Sequence, residues 1–267
     1  MRTISLFNHK GGVGKTTTAV NLACSAAKAG YRTLLWDLDA QGSASFYLGV
    51  RPKGGNAIDN LLKAKQVSQK ICATKYERLF VIPADLSLRF IDMELADSNN
   101  PKKKISRILE RLAHKFDLVF VDVPPGLSRL SDSVLRASDL LVSPLIPTPL
   151  STRAWQQVLA YLRHEGFQYE RTAPFFTMVD RRKTLHRNTI ERHFSKESTF
   201  LRQVVPYSSD IERMGTQFAP VSMFAPRSVG GLAYAALWDE VHQRISGKRI
   251  EKQVALPTVA VSRIESK

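Results

Sequence analysis

Two lysines share one glycine-rich run, His9-Lys10-Gly11-Gly12-Val13-Gly14-Lys15-Thr16-Thr17. Gly11, Gly12 and Gly14 let a backbone approach a ligand closely, while the Lys15-Thr16 pair supplies a cation and a hydroxyl. The run follows an apolar stretch, Ile4 to Phe7, and opens a helical stretch, Thr17 to Ala29. A strand feeding such a turn, followed by a helix, aims consecutive backbone N–H groups and the positive helix end at one point. That point suits a polyphosphate. Lys15 then reaches the β- and γ-phosphate oxygens and the Thr16 hydroxyl ligates magnesium. Strand, glycine spacing, Lys-Thr pair and helix agree with one another, which separates the run from a glycine turn with incidental lysines. A phosphate loop needs only one lysine, so Lys10 asks for a second explanation.

Two further segments end in carboxylates. Leu34 to Gln41 is an apolar strand closing on Asp37 and Asp39, and Asp117 to Gly126 is another closing on Asp122. Ligands of open parallel sheets sit at the carboxyl ends of strands, where these aspartates fall. Magnesium keeps several waters and takes one or two carboxylates, which fits Asp37 and Asp122 as holders of its water shell. Asp39 is left to position an attacking water. Each aspartate alone has a helix cap as its lesser reading; together with the loop they read as a site.

With these residues in hand, the chain resembles the ParA/MinD ATPases, whose phosphate-binding loop carries the extra lysine. The matching motifs are Lys10 to Thr17, Asp37-Leu38-Asp39-Ala40-Gln41 and Asp122-Val123-Pro124-Pro125, and the resemblance runs to about residue 245. It implies contacts to ATP and Mg2+ by Lys10, Gly11, Gly12, Val13, Gly14, Lys15, Thr16 and Thr17, and an ATP-dependent homodimer in which Lys10 reaches the partner's nucleotide. Asp39 would orient the hydrolytic water, and Pro124, Pro125 and Gly126 would form a switch sensing the γ-phosphate. A cation supplied from another chain stabilises phosphoryl transfer as an arginine finger does. The family commonly has proline where this chain has Ala40, which implies altered rigidity of that loop.

Length and composition accommodate one large α/β domain over 1–247, since 267 residues that are 43% hydrophobic bury an ample core. Apolar runs near 2–8, 32–37, 79–82, 117–122, 139–144, 173–178 and 200–205 alternate with helical stretches. Such alternation predicts a doubly wound, mostly parallel sheet with helices on both faces, the P-loop NTPase architecture. Strand one begins at once, leaving no room for a leader or an added N-terminal DNA-binding domain. No apolar run approaches the roughly 20 residues that span a bilayer. Cys24 and Cys72 suggest neither a disulfide framework nor a metal site, which points to a reduced, cytoplasmic setting. The histidines lack metal-ligand spacing, and His9 reads as a packing or dimer-contact residue.

Charge is the second signal. Lys and Arg number 39 against 24 Asp and Glu, a formal net of +15, which an ATPase does not need and a polyanionic partner explains. Arg181, Arg182, Lys183, Arg187, Arg192, Lys196 and Arg202 crowd one stretch, with Arg213 and Arg227 beyond it. The expected partner is double-stranded DNA, bound through phosphates without regard to sequence. The resemblance places a DNA-contacting arginine at Arg182, and Lys183, Arg187, Arg213 and Arg227 join it as candidates. It also carries nucleotide contacts to Asp180 and to Pro206, near the adenine. The family's second DNA-binding arginine falls on Asp210, a departure for which Arg213 is the substitute one turn on.

The resulting expectation is a nucleoid-associated ATPase, with an adaptor that stimulates hydrolysis, positioning a cargo such as a plasmid, chromosome or carboxysome. Three other readings compete. A MinD-like membrane ATPase would need an amphipathic tail, whereas residues 248–267 contain Pro257 and no aromatic residue and read as a flexible extension. A nucleotide-dependent scaffold predicts protein binding with little DNA dependence. A reductase on the same fold needs paired cysteines at the switch segments, where neither cysteine lies.

Overall fold

In the computed structural model, residues 1–52, 67–98 and 100–247 are described; the expected C-terminal extension lies outside them. Seven strands form one sheet: β1 Arg2–Leu6, β2 Thr33–Asp37, β3 Cys72–Ala73, β4 Leu79–Ile82, β5 Leu118–Asp122, β6 Leu140–Leu145 and β7 Thr172–Phe176. Their spatial order is β3-β4-β2-β5-β1-β6-β7, all parallel except β3, which runs antiparallel to β4.

The central strands are hydrophobic along their length because both faces are covered. Leu34, Trp36, Val119 and Val121 point into one core, shared with helices Lys104–Leu112, Arg129–Ala137 and Pro149–His164. Leu35, Leu118, Phe120, Ile4 and Leu6 point into the other, against helix α1, Lys15–Lys28, and the C-terminal helix Val229–Ile245. The doubly wound expectation holds. Residues of α1 buried on the sheet are small, Ala19, Ala23, Ala26 and Ala27 among them, so the helix lies close over the strands that carry the loop and the carboxylates.

Two expectations need correction. The two-residue β3 carried too short an apolar run to read as a strand. Residues 200–205, expected as a strand, form no ladder: Leu201 N donates to Pro174 O and Val205 N to Phe176 O, but between them the amides of Arg202 and Gln203 turn away to the Glu240 carboxylate. A carboxylate 37 and 38 residues later in sequence holds both donors, and Gln203 N is the one a regular ladder would have offered to β7.

Candidate functional site

The loop is built from β1 outward. Asn8 is fully buried, and its side chain ties two segments: Nδ2 donates to Pro144 O at 2.8 Å, and Oδ1 accepts from Lys10 N at 2.9 Å. Gly12 and Gly14 hold φ values of 70° and 86°, which glycine adopts without strain. Gly14 is the N-cap of α1, and no side chain caps it, so the first-turn N–H groups stay open to an anion. Lys15, only 7% exposed, reaches across the loop to Lys10 O at 3.2 Å. Burial lowers its pKa, and the charges of Asp122 and Asp39 work against that shift. Gly11 is exposed and Val13 buried, while Lys10, Thr16 and Thr17 are half-buried at the same turn.

Asp37 and Asp122 end the adjacent strands β2 and β5 as direct register partners. Asp122 is 1% exposed and neither of its oxygens has a hydrogen-bond partner. Burial first, and then Asp37 beside it, push its pKa well above the usual carboxylate range; the Thr16 hydroxyl is near enough to oppose this. Asp37 is better satisfied, accepting from Ser45 N at 2.9 Å and Ser45 Oγ at 2.8 Å, yet burial raises it to about 6. A buried carboxylate with no donor beside a second carboxylate is costly unless a cation joins them. The donor set is hard oxygen, two carboxylates and the Thr16 hydroxyl, which fits magnesium carrying its own waters.

Asp39 stands half-exposed beyond Asp37, with Oδ1 accepting from Gln41 N at 3.0 Å. Gly42 N donates to Asp39 O at 2.8 Å, so the turn through Ala40 closes without a proline. On the other side Val123 N donates to Leu6 O, after which Pro124 is half-buried, Pro125 exposed and Gly126 at φ 98°. The helix that follows is anchored by reciprocal Ser128–Ser131 capping and by Leu130 N donating to Asp92 Oδ1 at 2.9 Å.

A cleft opens beside Gly14 and Thr17, bounded by Met178, Val205, Pro206 and Tyr207. Pro206, read from the sequence as a contact near the adenine, is among its lining residues. Asp180 is outside its lining: both of its carboxylate oxygens accept from the Arg182 guanidinium at 3.0 Å, which holds its carboxyl down near about 2. Arg182 remains an exposed cation all the same.

The basic candidates lie on exposed surface after β7. Lys183 precedes helix Thr184–Lys196, and Arg187 folds back to donate to Arg181 O and the Thr184 hydroxyl. Arg213 pairs with Asp210 at 3.2 Å, so the aspartate at the departed position neutralises part of its substitute. Arg227 is exposed just before the C-terminal helix. Sequence reasoning missed Asn8, Ser45 and His186. Buried His186 accepts a hydrogen bond from Asp180 N through Nδ1, and burial lowers its pKa. None of the three belongs to a motif that announces its role: Asn8 tethers the loop to Pro144, far along the chain, while Ser45 and His186 act on residues eight and six positions away.

Sheet order, uncapped glycine loop and strand-end carboxylates together define a P-loop nucleoside triphosphatase. The AAA-domain family matches residues 1–170. The chain is 32% identical over 246 residues to the sporulation initiation inhibitor protein Soj of Bacillus subtilis, covering 89% of this chain and 97% of that one. It is also 32% identical over 266 residues to the chromosome partitioning protein ParA of Myxococcus xanthus, covering 95% and 92%. A cobyrinic acid a,c-diamide synthase from Mycobacterium smegmatis, solved with an ATP analogue and magnesium, superposes with a TM-score of 0.79 at 25% identity, covering 93% and 97%. The chain belongs to the ParA/Soj family of P-loop ATPases.

Proposed function

We propose that the chain is a Mg2+-dependent ATPase that pairs with a second copy when ATP binds, holds duplex DNA through its basic surface and releases it on hydrolysis, thereby positioning a cargo. The observation that carries the catalytic half is the unpartnered Asp122 beneath Thr16 and Lys15. A carboxylate left without donors next to a phosphate loop suits a metal–triphosphate ligand and is costly without one. In this reading Lys15, Thr16 and the loop amides hold the phosphates, Asp37 and Asp122 hold the water shell of magnesium, and Asp39 orients the attacking water. Lys10 is half-buried, and among the described residues it makes no ion pair, which leaves its ammonium free for a partner's γ-phosphate. Pro124 to Gly126 would report the γ-phosphate to the Asp92-anchored helix.

The DNA half rests on the net charge and on the exposed Arg182, Lys183, Arg187, Arg213 and Arg227. Pairing two copies doubles that surface, so ATP raises DNA affinity without a new contact. Chromosome partitioning, named for one relative above, supports a nucleoid setting and an adaptor that stimulates hydrolysis. No helix among the described residues is long and apolar enough to cross a membrane.

Binding of the chain and of Lys15→Gln to a random-sequence duplex, with ATP, ADP or no nucleotide and at two salt concentrations, tests the reading. Tight, salt-sensitive binding with ATP only, absent in the variant, is the expected result. Equal affinity with and without ATP would remove the nucleotide gate and favour the scaffold reading.

A further inference from the structure

The wall of the base cleft is set by two breaks in strand pairing. In a regular parallel ladder, successive donors on one strand and their acceptors on the other both advance by two residues. Along β7 the acceptors do so, from Pro174 O to Phe176 O, but the donors advance by four, from Leu201 N to Val205 N. Two residues, Arg202 and Gln203, are therefore looped out, and their amides donate to the two oxygens of Glu240 at 2.7 Å each. Just past β7 the other chain takes up slack in turn: Met178 sits at φ 52°, and Val179 N donates to Val205 O while Tyr207 N donates to Val179 O. Val205, Pro206, Tyr207 and Met178 all line the cleft.

Without an acceptor for those two amides, the regular alternative is open. Gln203 N would take Phe176 O, and the segment would slide by two residues, moving Pro206 about 6–7 Å along the strand. Glu240, on the C-terminal helix, stands where it blocks that slide. One turn on, the Arg244 guanidinium donates to Ser198 O and Thr199 O at 3.0 and 3.2 Å, holding the start of the same segment from the same helix. Burial pushes the Glu240 carboxyl up, and the two amide donors pull it back down.

We propose that Glu240 is a positioning residue for the nucleotide: by holding the looped-out amides of Arg202 and Gln203, it fixes the register that places Pro206 and Tyr207 in the base cleft. The inference rests on the reading of that cleft as the base pocket of the ATP site. Glu240 touches neither phosphates nor metal, so its effect falls on the base and not on the phosphate loop.

The test compares Mg2+-dependent affinity of the full chain for ADP and for tripolyphosphate, which presents phosphates without base or ribose. Glu240→Ala is expected to weaken ADP by about tenfold or more while leaving tripolyphosphate within about twofold. Glu240→Gln, keeping one acceptor, falls between, and serves as the test if Glu240→Ala does not fold. Excising Arg202 and Gln203 closes the loop and restores the register of Val205, so Glu240→Ala added to that shortened chain has little further effect on ADP. Unchanged ADP affinity in Glu240→Ala overturns the proposal, and so does an equal loss of ADP and tripolyphosphate, which marks a general structural role. If the unsubstituted chain binds tripolyphosphate but not ADP, the phosphate loop stands and the base pocket, with Glu240's part in it, falls.

Discussion

At the scale of single residues, the decisive contrast is between the two buried carboxylates. Asp37 is tied down by Ser45, whereas Asp122 has no donor and faces Asp37. A carboxyl whose folded pKa is raised favours the folded state when protonated, and that contribution is lost as pH rises through the raised value. Above the ordinary carboxylate range the nucleotide-free protein thus carries a cost at Asp122 that a bound cation relieves. Asp122→Asn is expected to raise the thermal midpoint of the nucleotide-free protein at neutral pH while cutting magnesium-dependent hydrolysis by roughly 10- to 100-fold. A calorimetric scan showing a lower midpoint would remove Asp122 as a source of strain. Lys10 makes a different prediction, since its carbonyl and amide hold the loop while its ammonium makes no ion pair among the described residues. Lys10→Ala should leave the affinity for ADP nearly unchanged and lower kcat by about 10³-fold, as loss of a charge supplied in trans does. If instead the affinity for ADP falls and kcat holds, the lysine serves its own nucleotide.

At the scale of elements, the turn between β7 and helix Thr184–Lys196 carries a pH dependence of its own. Asp180 N donates to His186 Nδ1, which requires that nitrogen to be unprotonated. Burial, and then Lys183, lower the His186 pKa from 6.5. A histidine with a lowered folded pKa stabilises the fold above 6.5, and the contribution is lost as pH falls through the lower value. Asp180, held near about 2 by Arg182, adds a second loss only below 3.8. Denaturant midpoints measured from pH 7 to pH 5 are expected to fall, and to fall less in His186→Gln; parallel slopes would show that His186 does not titrate there.

The same region shows where the sequence stops being legible. That the glycine loop lies between β1 and α1, and that Asp37 and Asp122 end adjacent strands, is legible because glycine spacing, strand hydrophobicity and helix onset are all local, and the six strands with clear apolar runs agree within a residue or two at their ends. The 200–205 segment read as a seventh because Leu201, Val204 and Val205 are apolar. What breaks its ladder is Glu240, far along the chain, and no local pattern announces a carboxylate that arrives by folding. Asn8 escaped for the same reason at Pro144, whereas Ser45 and His186 act over eight and six residues through turns that no motif marks. Asp180, read as a nucleotide contact, pairs with Arg182 two residues on.

At the scale of the whole molecule, the +15 charge sets how binding responds to solution conditions. Each phosphate contact adds about one unit to the slope of log affinity against log salt. Arg187→Glu combined with Arg227→Glu should weaken ATP-dependent binding to any duplex and flatten that slope by about two units, with basal ATPase unaffected. A slope that is unchanged would place the DNA elsewhere on the surface. Asp210 offers the reverse experiment, because it offsets Arg213 at 3.2 Å.

The borders of the sheet carry a consequence of another kind. One border is β3, two residues long and antiparallel to its neighbour. On the other, Pro174 O and Phe176 O are already engaged by Leu201 and Val205. Among the described residues, neither border offers a foreign strand an open run of donors and acceptors to copy, which is the usual route from a large sheet to fibrils. Were the proposed DNA-bound state to pack many copies side by side, these borders would let them reach high local concentration without polymerising edge to edge.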